Sequence, residues 1–204
     1  MMQTDRLELL TGAHTAVIAG WRKVMMWWFI VTDGLLFAGF LASYGYARLL
    51  AFDWPAQSGV FSLKYIAAMT FVLITSSATM ASAVEEARRS ARDGRRSGAL
   101  KYVLPTALGG LAFLGMQAYE WAHLIGEGAR LTQNPWGAPS FGAYFFLLTG
   151  FHGTHVLTGL VILLTTAVRL AKGITKEEGV EMAGLYWHFV DLVWVFIFTL
   201  FYLV

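Results

Sequence analysis

The sequence predicts an all-α integral membrane bundle of five transmembrane helices, with a cytoplasmic N-terminus and a C-terminus facing the periplasm or exterior. Three observations carry that reading. The chain is 57% hydrophobic and 14% charged, whereas roughly a quarter of the residues of a soluble domain are charged. Its apolar residues gather in five blocks, at about 25 to 48, 63 to 87, 101 to 124, 141 to 169 and 182 to 204. Each block reaches the ~20 residues that cross ~30 Å of hydrocarbon. The third observation is that the basic residues divide very unevenly between the two sides those blocks would define.

Taken in order, residues 1 to 20 carry Asp5, Arg6, Glu8 and His14 among weak apolar runs. That is unlike the compact apolar core of a cleaved signal peptide, so the chain is read as starting at Met1. The first block ends at Arg48 and is followed by the turn signal Asp53-Trp54-Pro55. The second contains Thr75-Ser76-Ser77-Ala78-Thr79-Met80-Ala81-Ser82-Ala83, small residues of the kind that let helix backbones approach closely in lipid. Gly109 and Gly110 in the third block, and Gly150, Gly153 and Gly159 in the fourth, suggest similar close contacts. Asn134-Pro135-Trp136-Gly137-Ala138-Pro139 separates those two blocks, and the fifth runs to the chain's end. No linker is long enough for a soluble domain, so residues 1 to 204 read as a single membrane domain. No internal repeat is visible, which weighs against a transporter built from duplicated halves.

Orientation follows from the basic residues. Arg6, Arg22, Lys23, Arg88, Arg89, Arg92, Arg95, Arg96, Lys101, Arg169, Lys172 and Lys176 fall on the N-terminal side, and only Arg48, Lys64 and Arg130 on the other. A bias of this size places the basic side in the cytoplasm. The net charge of +2 is too small to suggest nucleic acid as a partner. With no cysteine in the chain, disulfides, iron-sulfur clusters and thiolate metal sites are excluded.

Ionisable residues inside a membrane are costly and mark pairs, cavities or function. Here they are Asp33 in the first block, Glu120 and His123 in the third, His152 and His155 in the fourth, and His188 and Asp191 in the fifth. At ~1.5 Å per residue, Asp33 lies about 12 Å, His188 about 9 Å and Asp191 about 14 Å from the cytoplasmic edge. His152 and His155 fall near mid-membrane, and Glu120 and His123 approach the outer edge. The i, i+3 spacing places each pair on a common helix face.

Those pairs admit two readings. Glu120-x-x-His123 has the form of half a di-iron carboxylate site, and His152, His155, His188 and Asp191 offer four ligands to one ion. Against this, a di-iron bundle requires a second Glu-x-x-His and two more carboxylates at one depth, which the chain lacks. Haem would need histidines facing each other at matched depth, an arrangement to which His155 and His188 come nearest. The competing reading makes all six residues hydrogen-bonded struts between helices. Asp33 has no ionisable neighbour within a turn or two on its own helix, and is read either as another strut or as a protonatable group near a proton entry path.

Four segments carry a resemblance. Leu148-Thr149-Gly150-Phe151-His152-Gly153-Thr154-His155-Val156-Leu157-Thr158-Gly159 resembles the signature helix of cytochrome c oxidase subunit III, and residues 186 to 202, beginning Tyr186-Trp187-His188-Phe189-Val190-Asp191, resemble that family's last helix. Gly115-Met116-Gln117-Ala118-Tyr119-Glu120-Trp121 is similar to its Gln-x-x-Glu-aromatic helix, and Ile30-Val31-Thr32-Asp33-Gly34-Leu35-Leu36-Phe37 to its first shared helix. The four stand in the family's order. Long relatives have seven helices; five matches the short bacterial form that lacks the first two, and with them part of a lipid-filled cleft. Asp33 stands where long relatives carry Glu.

The resemblance implies a supporting subunit of a haem-copper terminal oxidase, multi-pass in the bacterial inner membrane. It implies direct packing on subunit I, with subunit II and a small subunit IV in the same complex. The reaction, reduction of oxygen to water with proton pumping, would be carried out by haem and copper in partner chains. This chain itself would hold no metal, no redox cofactor and no catalytic residue, and phospholipid is the ligand it would bind. Asp33 would be the proton-associated carboxylate, while Glu120, His123, His152, His155, His188 and Asp191 would form an intramembrane packing network. The Thr149-Gly150-Phe151-His152-Gly153 form favours cytochrome c as electron donor. A quinol oxidase subunit III and an accessory subunit of a nitric oxide reductase are the alternatives within that class. A self-contained membrane metalloenzyme and a proton channel are the alternatives outside it.

Overall fold

A computed structural model describes the backbone of residues 2–95, 97–175 and 177–203, and side chains from residue 20 onward. The described residues form six α-helices: α1 (Met2–Leu50), α2 (Gln57–Val60), α3 (Leu63–Arg92), α4 (Leu100–Gly126), α5 (Ser140–Ala171) and α6 (Glu177–Ile197). A π-helical turn, Phe198–Leu203, continues α6. No strand occurs among them. Helices are the expected solution, because lipid offers no partner to backbone N–H and C=O groups.

The helices run past the apolar blocks at most ends. α3 continues to Arg92 and α6 begins at Glu177, whereas the blocks stop at 87 and start at 182. Apolarity marks the stretch that meets hydrocarbon, while the hydrogen-bond ladder continues into the polar edge. There Arg92 pairs with Glu85, 3.4 Å apart. The same reasoning applies to α1, which reaches back to Met2 rather than starting near residue 25.

Among the described residues, four segments are long and apolar enough to cross a membrane: Gly20–Leu50, Leu63–Arg92, Ser140–Ala171 and Glu177–Leu203. α4 is as long, at 27 residues, but Pro105, Gln117, Glu120 and His123 lower its mean hydropathy. It nonetheless sits in the middle of the bundle. α3 packs on α4 and α6, α4 on α5, and α5 on α6, while α1 leans on α6 and, less closely, α5. Only 6% of the most apolar window of α1 is buried within the protein, against 50% for the α6 segment, so α1 is the peripheral helix.

Buried positions recur every three or four residues along α3 (Ile66, Met69, Leu73, Ser76, Met80, Ala83) and α4 (Val103, Thr106, Gly110, Phe113, Gln117, Glu120), the spacing of one helix face. In lipid such faces are held by close packing and interhelical hydrogen bonds rather than by expulsion of water. Both are present. Trp187 Nε1–H donates to Ser76 Oγ (3.1 Å) and Trp194 Nε1–H to Thr70 Oγ1 (3.0 Å), joining α6 to α3. Trp121 Nε1–H donates to Thr149 Oγ1 (3.0 Å) and Gln117 Nε2 to the Thr149 carbonyl (2.7 Å), joining α4 to α5. The small residues make these approaches possible, since a Cβ on Gly109 would lie 2.6 Å from that of Ser76.

At one end of the bundle the connection before α3 is clamped to the α4–α5 loop, where the Ala138 amide donates to the Asp53 carbonyl (3.1 Å). Gly137 beside it has φ 139°, and a Cβ there would collide with the same carbonyl. Gly137→Ala is therefore expected to cost about 1 to 3 kcal/mol in backbone strain. The check is a lowered thermal midpoint of the detergent-solubilised protein with the bundle's helicity retained.

Candidate functional site

The seven membrane carboxylates and histidines separate into four places. Asp33 on α1 faces His155 on α5, with Oδ2 3.3 Å from Nε2 and both side chains largely buried. His155 Nδ1 lies 2.8 Å from the Phe151 carbonyl. A carbonyl only accepts, so Nδ1 carries the proton. Nε2 then has no proton to give Asp33 unless the ring is charged, and one further proton, on either group, is what would join them. In the present geometry the carboxylate oxygen is off the hydrogen-bond line.

A second group lies between α6 and α3. His188 Nδ1 is 2.7 Å from Ser77 Oγ, and Asp191 engages the same hydroxyl. His188 also lines a half-open cavity of about 460 Å³ with Lys23, Trp27, Arg88 and Glu181. Glu181 ties three helices together there, accepting from Lys23 Nζ (2.7 Å) on α1 and Arg88 Nε (2.6 Å) on α3. In the loop after α3, a hydrogen bond to Asp93 and a second to Glu86 hold the Arg95 guanidinium further into its charged form.

His152 is alone. It is fully buried, 5.1 Å from the Trp194 ring and 5.7 Å from Phe113 by ring centres, and neither nitrogen has a hydrogen-bond partner among the described residues. At the other end of the bundle, Glu120 is buried and accepts from Tyr202 O–H at 3.4 Å. His123 is instead exposed and pairs with Glu127, 3.4 Å away on the next turn.

The shared faces expected from i, i+3 spacing are thus only partly present. Three residues turn a helix through 300°, leaving 60° between side chains. That suffices to aim His155 at α1 while His152 enters the core, and to bury Glu120 while His123 points outward. His155 and His188 do not face each other, since one is spent on Asp33 and the other on Ser77. Among the described residues no three His, Asp or Glu side chains converge as metal ligands. Tyr202, Ser77 and the Lys23–Glu181–Arg88 cluster were not singled out from the sequence. Glu181 alone left a signal, as an acidic residue at the entry of the last apolar block.

The pattern of the family described as cytochrome c oxidase subunit III matches residues 5–204. Individual relatives agree. The chain is 34% identical over 180 residues to the cytochrome bo(3) ubiquinol oxidase subunit 3 of Pseudomonas aeruginosa, covering 87% of this chain and 82% of the relative. It is 33% identical over 192 residues to the cytochrome c oxidase subunit 3 of Alkalihalophilus pseudofirmus, covering 92% and 89%. It is also 33% identical over 180 residues to the quinol oxidase subunit 3 of Bacillus subtilis, covering 87% and 84%. Family and fold together identify a membrane subunit of an oxidase complex: the chain belongs to the cytochrome c oxidase subunit III family and is a subunit III of the haem-copper oxidases.

Proposed function

We propose that the chain acts as a non-redox accessory subunit, packed directly on subunit I in a complex with subunit II and a small subunit IV, with phospholipid bound at its surface. Haem and copper belong to the partner chains. The observation that favours this is how the buried polar groups are used: Asp33, His155, His188 and Asp191 each engage a neighbouring helix, as do Gln117 and the core tryptophans. They are built into the walls of a scaffold.

In this reading all of residues 1 to 204 form one membrane domain with five crossings, α4 being the fifth. Its place between α3 and α5 and its length support that count, despite its lower apolarity. Twelve of fifteen Lys and Arg residues on one side support a cytoplasmic N-terminus in the bacterial inner membrane. Cytochrome c is the proposed donor, on the form of residues 149 to 153. The second reading, quinol, is favoured by relatives such as those of Pseudomonas aeruginosa and Bacillus subtilis.

Asp33 is the residue proposed to hold an exchangeable proton, because its pair with His155 has room for one proton between two groups. Asp33→Asn keeps the shape and removes the acid. The purified complex should assemble with normal haem content, while proton uptake or turnover sustained over many cycles falls several-fold. Wild-type kinetics in that variant would reduce Asp33 to a packing residue.

A further inference from the structure

Glu120 is the buried carboxylate whose surroundings the packing account leaves unexplained. Its residue is 94% buried, and no Lys or Arg of the described residues pairs with it. The Tyr202 hydroxyl, at 3.4 Å from Oε2, is beyond the 2.5–3.0 Å of a strong O–H···O bond. Beside it lies a half-open cavity of about 270 Å³, whose walls include Phe61, Ser62, Tyr65, Tyr119 and His123. Tyr65 turns its hydroxyl away to the Met116 carbonyl, 2.8 Å off, leaving its ring as wall. A carboxylate in the wall of a half-open cavity lined in part by aromatic side chains is a setting for an organic cation, which gains a charge-assisted hydrogen bond from the acid and attraction from nearby rings.

Position narrows the source. Glu120 is six residues before the end of α4 at Gly126, about 9 Å along the axis. This is the end with few basic residues, so the protein supplies little cationic charge of its own. The mouth opens on the outer surface of the bundle, where Tyr119 is 65% exposed, at the depth where lipid head groups meet the hydrocarbon. Resting on the reading of this chain as a lipid-binding oxidase subunit, we propose that this cavity binds the primary ammonium of an aminophospholipid head group, with Glu120 as its counter-ion and Tyr65, Tyr119 and Phe61 among its walls.

The test uses the intact oxidase complex, purified and reconstituted into nanodiscs containing equal phosphatidylethanolamine and phosphatidylglycerol, with retained lipid read by native mass spectrometry. Wild type should hold one more phosphatidylethanolamine than Glu120→Gln, whose occupancy at that position should fall about tenfold or more with loss of the ionic hydrogen bond. Tyr119→Leu changes only an exposed wall, leaves assembly intact and should lower occupancy about two- to fivefold. It carries the test if the Glu120 variant fails to assemble. Equal retention of both lipids in wild type, or unchanged retention in both variants, would overturn the proposal. So would binding of free ethanolamine with no lipid retained, which would make the ligand a soluble amine. A zero-length carbodiimide cross-link from Glu120 to a lysine of a neighbouring subunit would overturn it as well.

Discussion

Trp187→Ala is expected to destabilise the bundle by about 3 to 5 kcal/mol and to prevent accumulation of the assembled complex. The indole is 1% exposed and fills the space left by glycines on two other helices. A Cβ on Gly159 of α5 would lie 3.0 Å from the ring, and one on Gly110 of α4 would overlap it. Its Nε1–H also holds Ser76 of α3. Removing it opens a cavity where four helices meet and leaves Ser76 without that partner. The check is the yield of complex after mild solubilisation, with the thermal midpoint of whatever survives.

The converse substitution acts on the same contact. Gly110→Leu places a side chain where the Trp187 ring lies, and overpacking of this kind costs about 1 to 3 kcal/mol or more. The two changes are not independent. Leucine at 110 would occupy part of the cavity left by alanine at 187, so the double variant should be less impaired than the two single effects added together. Simple additivity would show that Gly110 and Trp187 are not the packing pair described here.

The sequence revealed the helical class, the apolar blocks and the residues that needed partners, because hydrocarbon imposes its length and its penalty on every position it meets. It could not reveal helix ends, since nothing in a polar stretch such as Glu177-Glu178 marks where the backbone ladder stops. Nor could it pair the helices. Asp33 has no ionisable neighbour within two turns on its own helix, and its partner lies 122 positions away at His155. His152 and His155 read as one unit by spacing, yet a 60° offset sends one into the core and the other to α1. The outer cavity was also hidden, because its walls come from separate stretches of chain, Phe61 and Ser62 just before α3, Tyr65 on α3, and Tyr119, Glu120 and His123 on α4.

The central claim, an accessory subunit seated in a haem-copper oxidase, is tested most directly by tagging this chain, extracting the membranes gently and recording what co-purifies. The account predicts a coloured complex with haem absorption, copper and two larger subunits in fixed proportion to this chain. Reduced cytochrome c or quinol would then identify the donor by which of them drives oxygen consumption. A stable, colourless chain recovered alone and carrying its own stoichiometric metal would contradict the account.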